Sequence, residues 1–303
     1  MLLLTFVTLV LLNARSVLSS CAHGTYLHRR ATDGESIELP NFGYGAVDGP
    51  TKWHSLSPEN VLCAIGTTQS PIDIDSTIIT QVPVGFLSMN VPVQDVKFEN
   101  LGTNVEVVLQ GTTLVDGREF LLEQFHFHTP SEHVIDGEQF AAEIHMVHTA
   151  RDNREEVAVI ALIVQATSGD SVRSIDTVIS NVNQIPNPGN VVDIRQLNIA
   201  DMVSLVNTLP LFSYTGSLTT PPCTEGIPFF ILSQAIPMHI DVFNSLKAVV
   251  GHNSRFLQSN SSTGQNVLAA GCQALPTKTQ SNETVAAAMA SSARVRRGAH
   301  SYY

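Results

Sequence analysis

The chain has 303 residues, 43% of them hydrophobic and only 14% charged, enough apolar material for a large buried core and too much for a disordered polymer. Sixteen basic against twenty-seven acidic side chains give a net charge of −11, which excludes the basic footprint of a nucleic-acid binder. The same charge serves solubility at neutral pH.

The chain opens on "MLLLTFVTLVLL", an apolar run too short to cross a bilayer comfortably, followed by small residues in "NARSVLSSCAHG". Residues 1–22 read as a secretory signal peptide cut after Ala22, although no basic residue opens it. No later stretch has the length and apolarity of a membrane helix, so no membrane insertion is expected and the protein is placed outside the cell. Residues 23–38 form a polar segment whose Arg29 and Arg30 are read as a solvated charge pair in preference to a processing site. The compact domain is expected over residues 39–275. Residues 276–303 hold few large apolar side chains and end in a basic cluster, and read as a mobile tail.

Of four cysteines, Cys21 leaves with the signal. Cys63, Cys223 and Cys272 then permit one internal disulfide and one leftover thiol in an oxidising compartment. Sequons at Asn260 ("NSS") and Asn282 ("NET") fit export and make the protein a candidate glycoprotein.

Strands dominate the domain. "TNVEVVLQG", "REFLLEQFHFH", "QFAAEIHMVHTA", "EVAVIALIVQA" and "PFFILSQAI" are rich in Val, Ile and Phe, and turn residues bound most of them. "SVRSIDTVISNV", "IADMVSLVNTL" and "HIDVFNSLKAVV" carry apolar residues at three- and four-residue intervals and read as helices. The fold class expected is mainly β with peripheral helices (α+β), a single domain around a large, mostly antiparallel twisted sheet.

Five of the eleven histidines fall within residues 123–150, "EQFHFHTPSEHVIDGEQFAAEIHMVHTA". Alternate residues of a strand share a face, so His126 and His128 stand side by side with Gln124 in line. On the second strand Glu143, His145 and Val147 share a face. Antiparallel pairing brings His145 to the first two, making a three-imidazole cup. Three neutral nitrogens around tetrahedral zinc leave the fourth position to water, the arrangement of a catalytic site. Gln124 and Glu143 can each accept a hydrogen bond from a ligand imidazole and fix its tautomer. His148 faces away and His133 sits in the turn, and both read as structural. An H-x-H pair alone is more often no metal site at all, and it is the Gln and Glu partners in phase, together with the downstream His145, that lift this one above chance.

These residues carry a resemblance. With "FGYGAVDGPTKWHSL", "TTQSPIDID", "EQFHFHTPSEH", "AAEIHMVH" and "YTGSLTTPPCTEG" in order, the compact domain closely resembles the α-class carbonic anhydrases. The resemblance implies a zinc lyase that hydrates carbon dioxide reversibly to bicarbonate and a proton. It assigns zinc to His126, His128 and His145. Thr219 would accept the hydrogen of zinc-bound hydroxide and donate its own to Glu132, and an ionised carboxylate can only accept, so the donors run one way. Val147, Val159 and Leu218 would line the pocket for carbon dioxide, and Thr220 would contact bicarbonate. Each has a plainer reading alone: a turn for "SLTTPP", a solvated carboxylate for Glu132, core packing for the three apolar residues. Secreted relatives imply a Cys63–Cys223 disulfide, which leaves Cys272 for an intermolecular bridge and a homodimer.

Three positions depart from the family's pattern. Thr103 stands where many members carry a histidine that exports the proton, and a hydroxyl cannot take up a proton near neutrality. Glu106 is weighed as a cavity-facing substitute, with a solvent-facing strand carboxylate favoured. Phe229 replaces a pocket-wall Trp, and "NSRFLQ" around Arg255 lacks a proline without evident consequence. Two rivals remain open: a cupin-type metal oxygenase or isomerase using Glu132 as a ligand to iron or manganese, and an inactive carbonic-anhydrase-like binding module.

Overall fold

The computed structural model describes residue 37 and residues 39–77, 79–258 and 266–268. The signal peptide, Arg29 and Arg30, both sequons, Cys272 and the tail lie outside the described residues.

The strands are β1 (Asp73–Ile74), β2 (Thr80–Val82), β3 (Leu87–Asn90), β4 (Gln94–Asn100), β5 (Val105–Val115), β6 (Arg118–His128) and β7 (Val134–Ile135). They continue with β8 (Glu138–Gln139), β9 (Ala142–Ala150), β10 (Val157–Thr167), β11 (Val191–Leu197), β12 (Leu211–Ser217), β13 (Glu225–Leu232) and β14 (Ile236–His239). One large sheet runs β11-β4-β5-β6-β9-β10-β13-β12-β2, with β3 beside β5 and β14 beside β10. Its pairs are antiparallel except β10 with β13 and β10 with β14. The expected mainly β architecture stands. One expected strand does not: "PFFILSQAI" is broken after Leu232, and Ile236 begins a separate short strand on the far part of β10. The intervening "SQA" has no run of β-branched residues to keep the ladder going.

The apolar run of β10 explains its central place. Ile160, Leu162 and Val164 point into the main core, and Val159, Ala161 and Ile163 into a second cluster on the opposite face. A strand buried on both faces reads as a continuous apolar stretch rather than an alternating one. Helices α1 (Arg173–Ile179), α2 (Ala200–Thr208) and α3 (Ile240–Val250) add buried Ile175, Met202 and Leu246 to the main core. No described helix is long and apolar enough to cross a membrane.

A bulge positions the site. The β6–β9 register shifts between Leu122 and Gln124, so Glu123 is an extra residue. Leu122 therefore faces the main core while Gln124, two residues on, faces the opposite side. A bulge re-aims a strand in this way. Beyond it the pairing is regular, with His126 opposite His145 and His128 opposite Glu143.

Candidate metal centre

The cup forms on that second face. His126, His128 and His145 are 5%, 0% and 2% exposed, and one nitrogen from each lies within 4.8 Å of the others. The other ring nitrogens all meet acceptors. His126 Nδ1 donates to Gln124 Oε1 at 2.9 Å, His128 Nδ1 to the Asn253 carbonyl at 2.8 Å, and His145 Nε2 to Glu143 Oε1 at 2.7 Å. With those hydrogens committed, a neutral ring has only a bare lone pair for the cup. The Nε2 atoms of His126 and His128 stand 3.1 Å apart, each without a hydrogen to offer the other. Converging lone pairs at that distance call for a cation between them, so the donor set fits a metal ion with imidazole preference. Burial holds all three imidazoles below their ordinary pKa, which keeps them neutral and able to ligate.

Asn253 was not legible in the sequence, since it acts through a backbone carbonyl. Its side chain fixes that carbonyl: Nδ2 donates to the Thr103 and Phe127 carbonyls at 3.1 and 2.9 Å, and Oδ1 accepts from Thr129 N at 2.8 Å.

Glu143 is fully buried yet saturated. Oε2 accepts from the backbone amides of Glu132 and His133 at 2.9 and 2.8 Å, and Oε1 from His133 Nδ1 and His145 Nε2, both at 2.7 Å. Burial alone would raise its pKa, but His133 and His145 outweigh that and hold the carboxyl well below the usual range. A second trio of possible ligand atoms, on His133, Glu143 and His145, is this hydrogen-bonded cluster.

Glu132, in the loop after β6, is 1% exposed. Its Oε1 accepts from the Arg255 amide at 2.8 Å, and Oε2 lies 3.6 Å from His128 Nε2 and 3.9 Å from His145 Nδ1. Burial pushes it up to about 7, against the pull of His145, the Arg255 amide and the Thr219 hydroxyl. The Thr219 contact is loose, since Oε2 has no partner at full hydrogen-bond geometry among the described residues. Arg255 is itself buried. Its guanidinium donates to the Ser70 carbonyl at 2.8 Å and Gln69 Oε1 at 2.9 Å, and burial lowers its pKa to about 10. Its backbone amide fixes Glu132, a role with no local signature in "NSRFLQ".

Val147, Val159 and Leu218 fall in one apolar cluster with Phe229. Val159 pairs across strands with Val147 on one side and Phe229 on the other, so this wall runs one row from the row of His126 and His145. Thr219 is buried and Thr220 half-buried in the segment between β12 and β13. Cys63 and Cys223 are bonded, with Cα atoms 5.1 Å apart. Cys223 N donates to the Thr220 carbonyl at 2.9 Å, which ties the bridge to that segment. Among the described residues this is the disulfide present, and nothing there supports a bridge between two chains.

Glu106 requires a correction. The favoured solvent-facing position is wrong: it is 3% exposed and pairs directly opposite His126, hence on the metal face. The alternation of β5 was readable, but its register against β6 was not. Thr103 lies just before β5, 8% exposed.

Residues 48–267 match the family model for eukaryotic-type carbonic anhydrases. A carbonic anhydrase of Neisseria gonorrhoeae is 35% identical over 257 residues, covering 83% of this chain and 92% of that protein. Alpha carbonic anhydrase 7 of Arabidopsis thaliana is 30% identical over 67% of this chain and 74% of its own. The solved fungal α-carbonic anhydrase of Aspergillus oryzae superposes with a TM-score of 0.74 at 35% identity, over 78% of this chain and all of that one. The cupin alternative falls with these matches. The chain is an enzyme of reversible carbon dioxide hydration, and it belongs to the eukaryotic-type, or α-class, carbonic anhydrase family.

Proposed function

We propose that His126, His128 and His145 hold zinc, and that Gln124, Glu143 and the Asn253 carbonyl keep those three rings in the ligating tautomer. The observation that carries this is the convergence of three nitrogens whose hydrogens are all committed elsewhere. Zinc bound there supplies Lewis-acid activation of water, making hydroxide available near neutral pH. Thr219 gives its hydrogen to Glu132, so its oxygen can only accept. An attacking hydroxide must then donate to Thr219 and turn a lone pair toward the substrate carbon. Val147, Val159 and Leu218 provide an apolar wall that suits uncharged carbon dioxide and excludes water, and Thr220 contacts bicarbonate. An inactive binding module is disfavoured because the full ligand set is present.

Stopped-flow hydration with measured zinc content tests this reading. The parent should hold one zinc per chain and be active. Thr219→Ala should keep its zinc and lose roughly 100-fold in kcat/KM, the scale of a misoriented nucleophile. An unchanged kcat/KM would remove the orienting role.

Proton export is the step for which Thr103 supplies no titrating group near neutrality. In weak buffer kcat should therefore be limited by proton transfer and rise with imidazole-type buffers, while kcat/KM barely moves. Thr103→His should raise kcat roughly tenfold in weak buffer, a modest share of what a placed proton carrier contributes. A parent kcat indifferent to buffer, but lowered by Glu106→Gln, would give export to Glu106 instead.

Residues 39–275 are the proposed catalytic unit, preceded by a cleaved export signal over residues 1–22. The internal disulfide supports an oxidising, extracellular destination. Glycosylation at Asn260 and Asn282 and a Cys272-linked homodimer belong to the same proposal.

A further inference from the structure

A chain of hydrogen bonds leaves the metal centre on the side away from the cup. His133 Nε2 lies 2.6 Å from the Tyr214 hydroxyl, which lies 2.7 Å from Ser70 Oγ, and Ser70 Oγ accepts from Ser217 N at 3.0 Å. Its direction follows from counting donors. Glu143 is ionised and can only accept, so His133 Nδ1 carries a hydrogen. In a neutral His133 the bare Nε2 must accept, and Tyr214 donates to it. The Tyr214 oxygen then accepts from Ser70, whose own oxygen takes the Ser217 amide. Every hydrogen points toward Glu143.

The opposite sense fails. A charged His133 would place Nε2–H against the Tyr214 oxygen, and Tyr214 would donate to Ser70. Ser70 already accepts from Ser217 N, and its own hydrogen would then have no acceptor among the described residues. Ser70 N also donates to Ser217 Oγ at 2.9 Å, and Ser217 Oγ to the Leu218 carbonyl at 2.9 Å. The wire therefore begins at the segment that carries Leu218 and Thr219 and ends on the carboxylate behind His145.

We propose that Tyr214 is a positioning residue for the metal centre: its hydroxyl locks His133 as a donor, which fills the fourth acceptor place of Glu143 and holds His145 with its Nδ1 lone pair in the cup. This rests on the assignment of His145 as a metal ligand. The Tyr214 ring stacks on Phe229 at 5.3 Å and 16°, so removing the hydroxyl leaves the ring's packing in place. Without it, His133 Nε2 has no donor, the tautomer is no longer fixed, and Glu143 can lose one of its four bonds. His145 is then held less firmly.

The experiment loads full-length protein with zinc and follows release to excess dipicolinate. Tyr214→Phe should release zinc about tenfold faster than the parent, the low end of what partners of metal ligands contribute, a range set partly by carbonic anhydrases themselves. In a Glu143→Gln background, where the terminus of the wire is changed, Tyr214→Phe should alter release by less than about twofold. A merely structural role would lower the thermal midpoint of the metal-free protein and accelerate release equally in both backgrounds, and that result overturns the inference. So does an unchanged release rate. Ser70→Ala leaves the Tyr214 hydroxyl and its donation to His133 in place and should release zinc within about twofold of the parent. If Tyr214→Phe fails to fold, His133→Ala, which empties the same acceptor place on Glu143, should speed release about tenfold, and an unchanged rate there overturns the inference. A parent that binds no zinc would overturn the metal assignment itself, an outcome distinct from equal release rates.

Discussion

His128→Ala should bind zinc too weakly to retain it through dialysis and should lose at least about 1000-fold in hydration rate, while remaining folded. On the proposed function, activation of water by the metal would supply the nucleophile, so a site without zinc should lose the reaction and not merely part of its rate. Two imidazoles cannot replace three, because a catalytic zinc normally takes three protein ligands. Stability should fall only modestly. The side chain makes one hydrogen bond to protein, from Nδ1 to the Asn253 carbonyl, worth about 1 kcal/mol net. Asn253 keeps its three side-chain bonds to Thr103, Phe127 and Thr129. The two large apolar clusters do not include His128. Elemental analysis, stopped-flow assay and circular dichroism read the three consequences separately. Stoichiometric zinc with full activity would sink the ligand assignment, and a loss of fold would show that the ring is a core residue.

What the sequence disclosed about this centre was what strand periodicity can disclose. Residues 124, 126 and 128 share a face by alternation, as do 143, 145 and 147, and the two strands are close enough in sequence, across residues 129–141, to pair with each other. Periodicity does not report a break in register, and the β5–β6 hairpin carries one between Val108 and Gly111, so alternation along β5 alone does not tell which face Glu106 takes. It also does not report backbone acceptors: the Asn253 carbonyl behind His128 leaves no side-chain signature. Arg255 escaped for a related reason. Its contacts are to Glu132, 123 residues away, and to Gln69 and Ser70, 186 and 185 residues away. Nothing local marks it as buried. The bulge at Glu123 was equally silent, because an extra residue in one strand is defined only against its partner.

Replacing both Cys63 and Cys223 by Ser should cost the domain about 5 kcal/mol and lower its thermal midpoint by roughly 10–20 °C. The bridge spans a sequence separation of 160 residues, and closing so long a loop removes a large share of the unfolded chain's freedom. Against a total stability of about 5–15 kcal/mol for a typical domain, that is a third of the total or more. The loss should be global first and local second. The segment carrying Thr219 has other ties: Gln69 Nε2 donates to the Cys223 carbonyl at 3.0 Å, and Ser70 and Ser217 bond each other twice. Cys223 sits at a φ of 61°, a left-handed conformation about as costly for Ser as for Cys, so the substitution adds no backbone penalty of its own. Well below the new midpoint, then, the variant should keep zinc and lose less than about tenfold in kcat/KM, since the cup residues stand on strands β6 and β9 and not on this segment. Near the midpoint, activity and structure should vanish together. Differential scanning calorimetry and stopped-flow assay at two temperatures separate these cases. Peptide mapping without reductant settles the premise in the parent: a Cys63–Cys223 peptide is expected, and a bridge from either residue to Cys272 would overturn it.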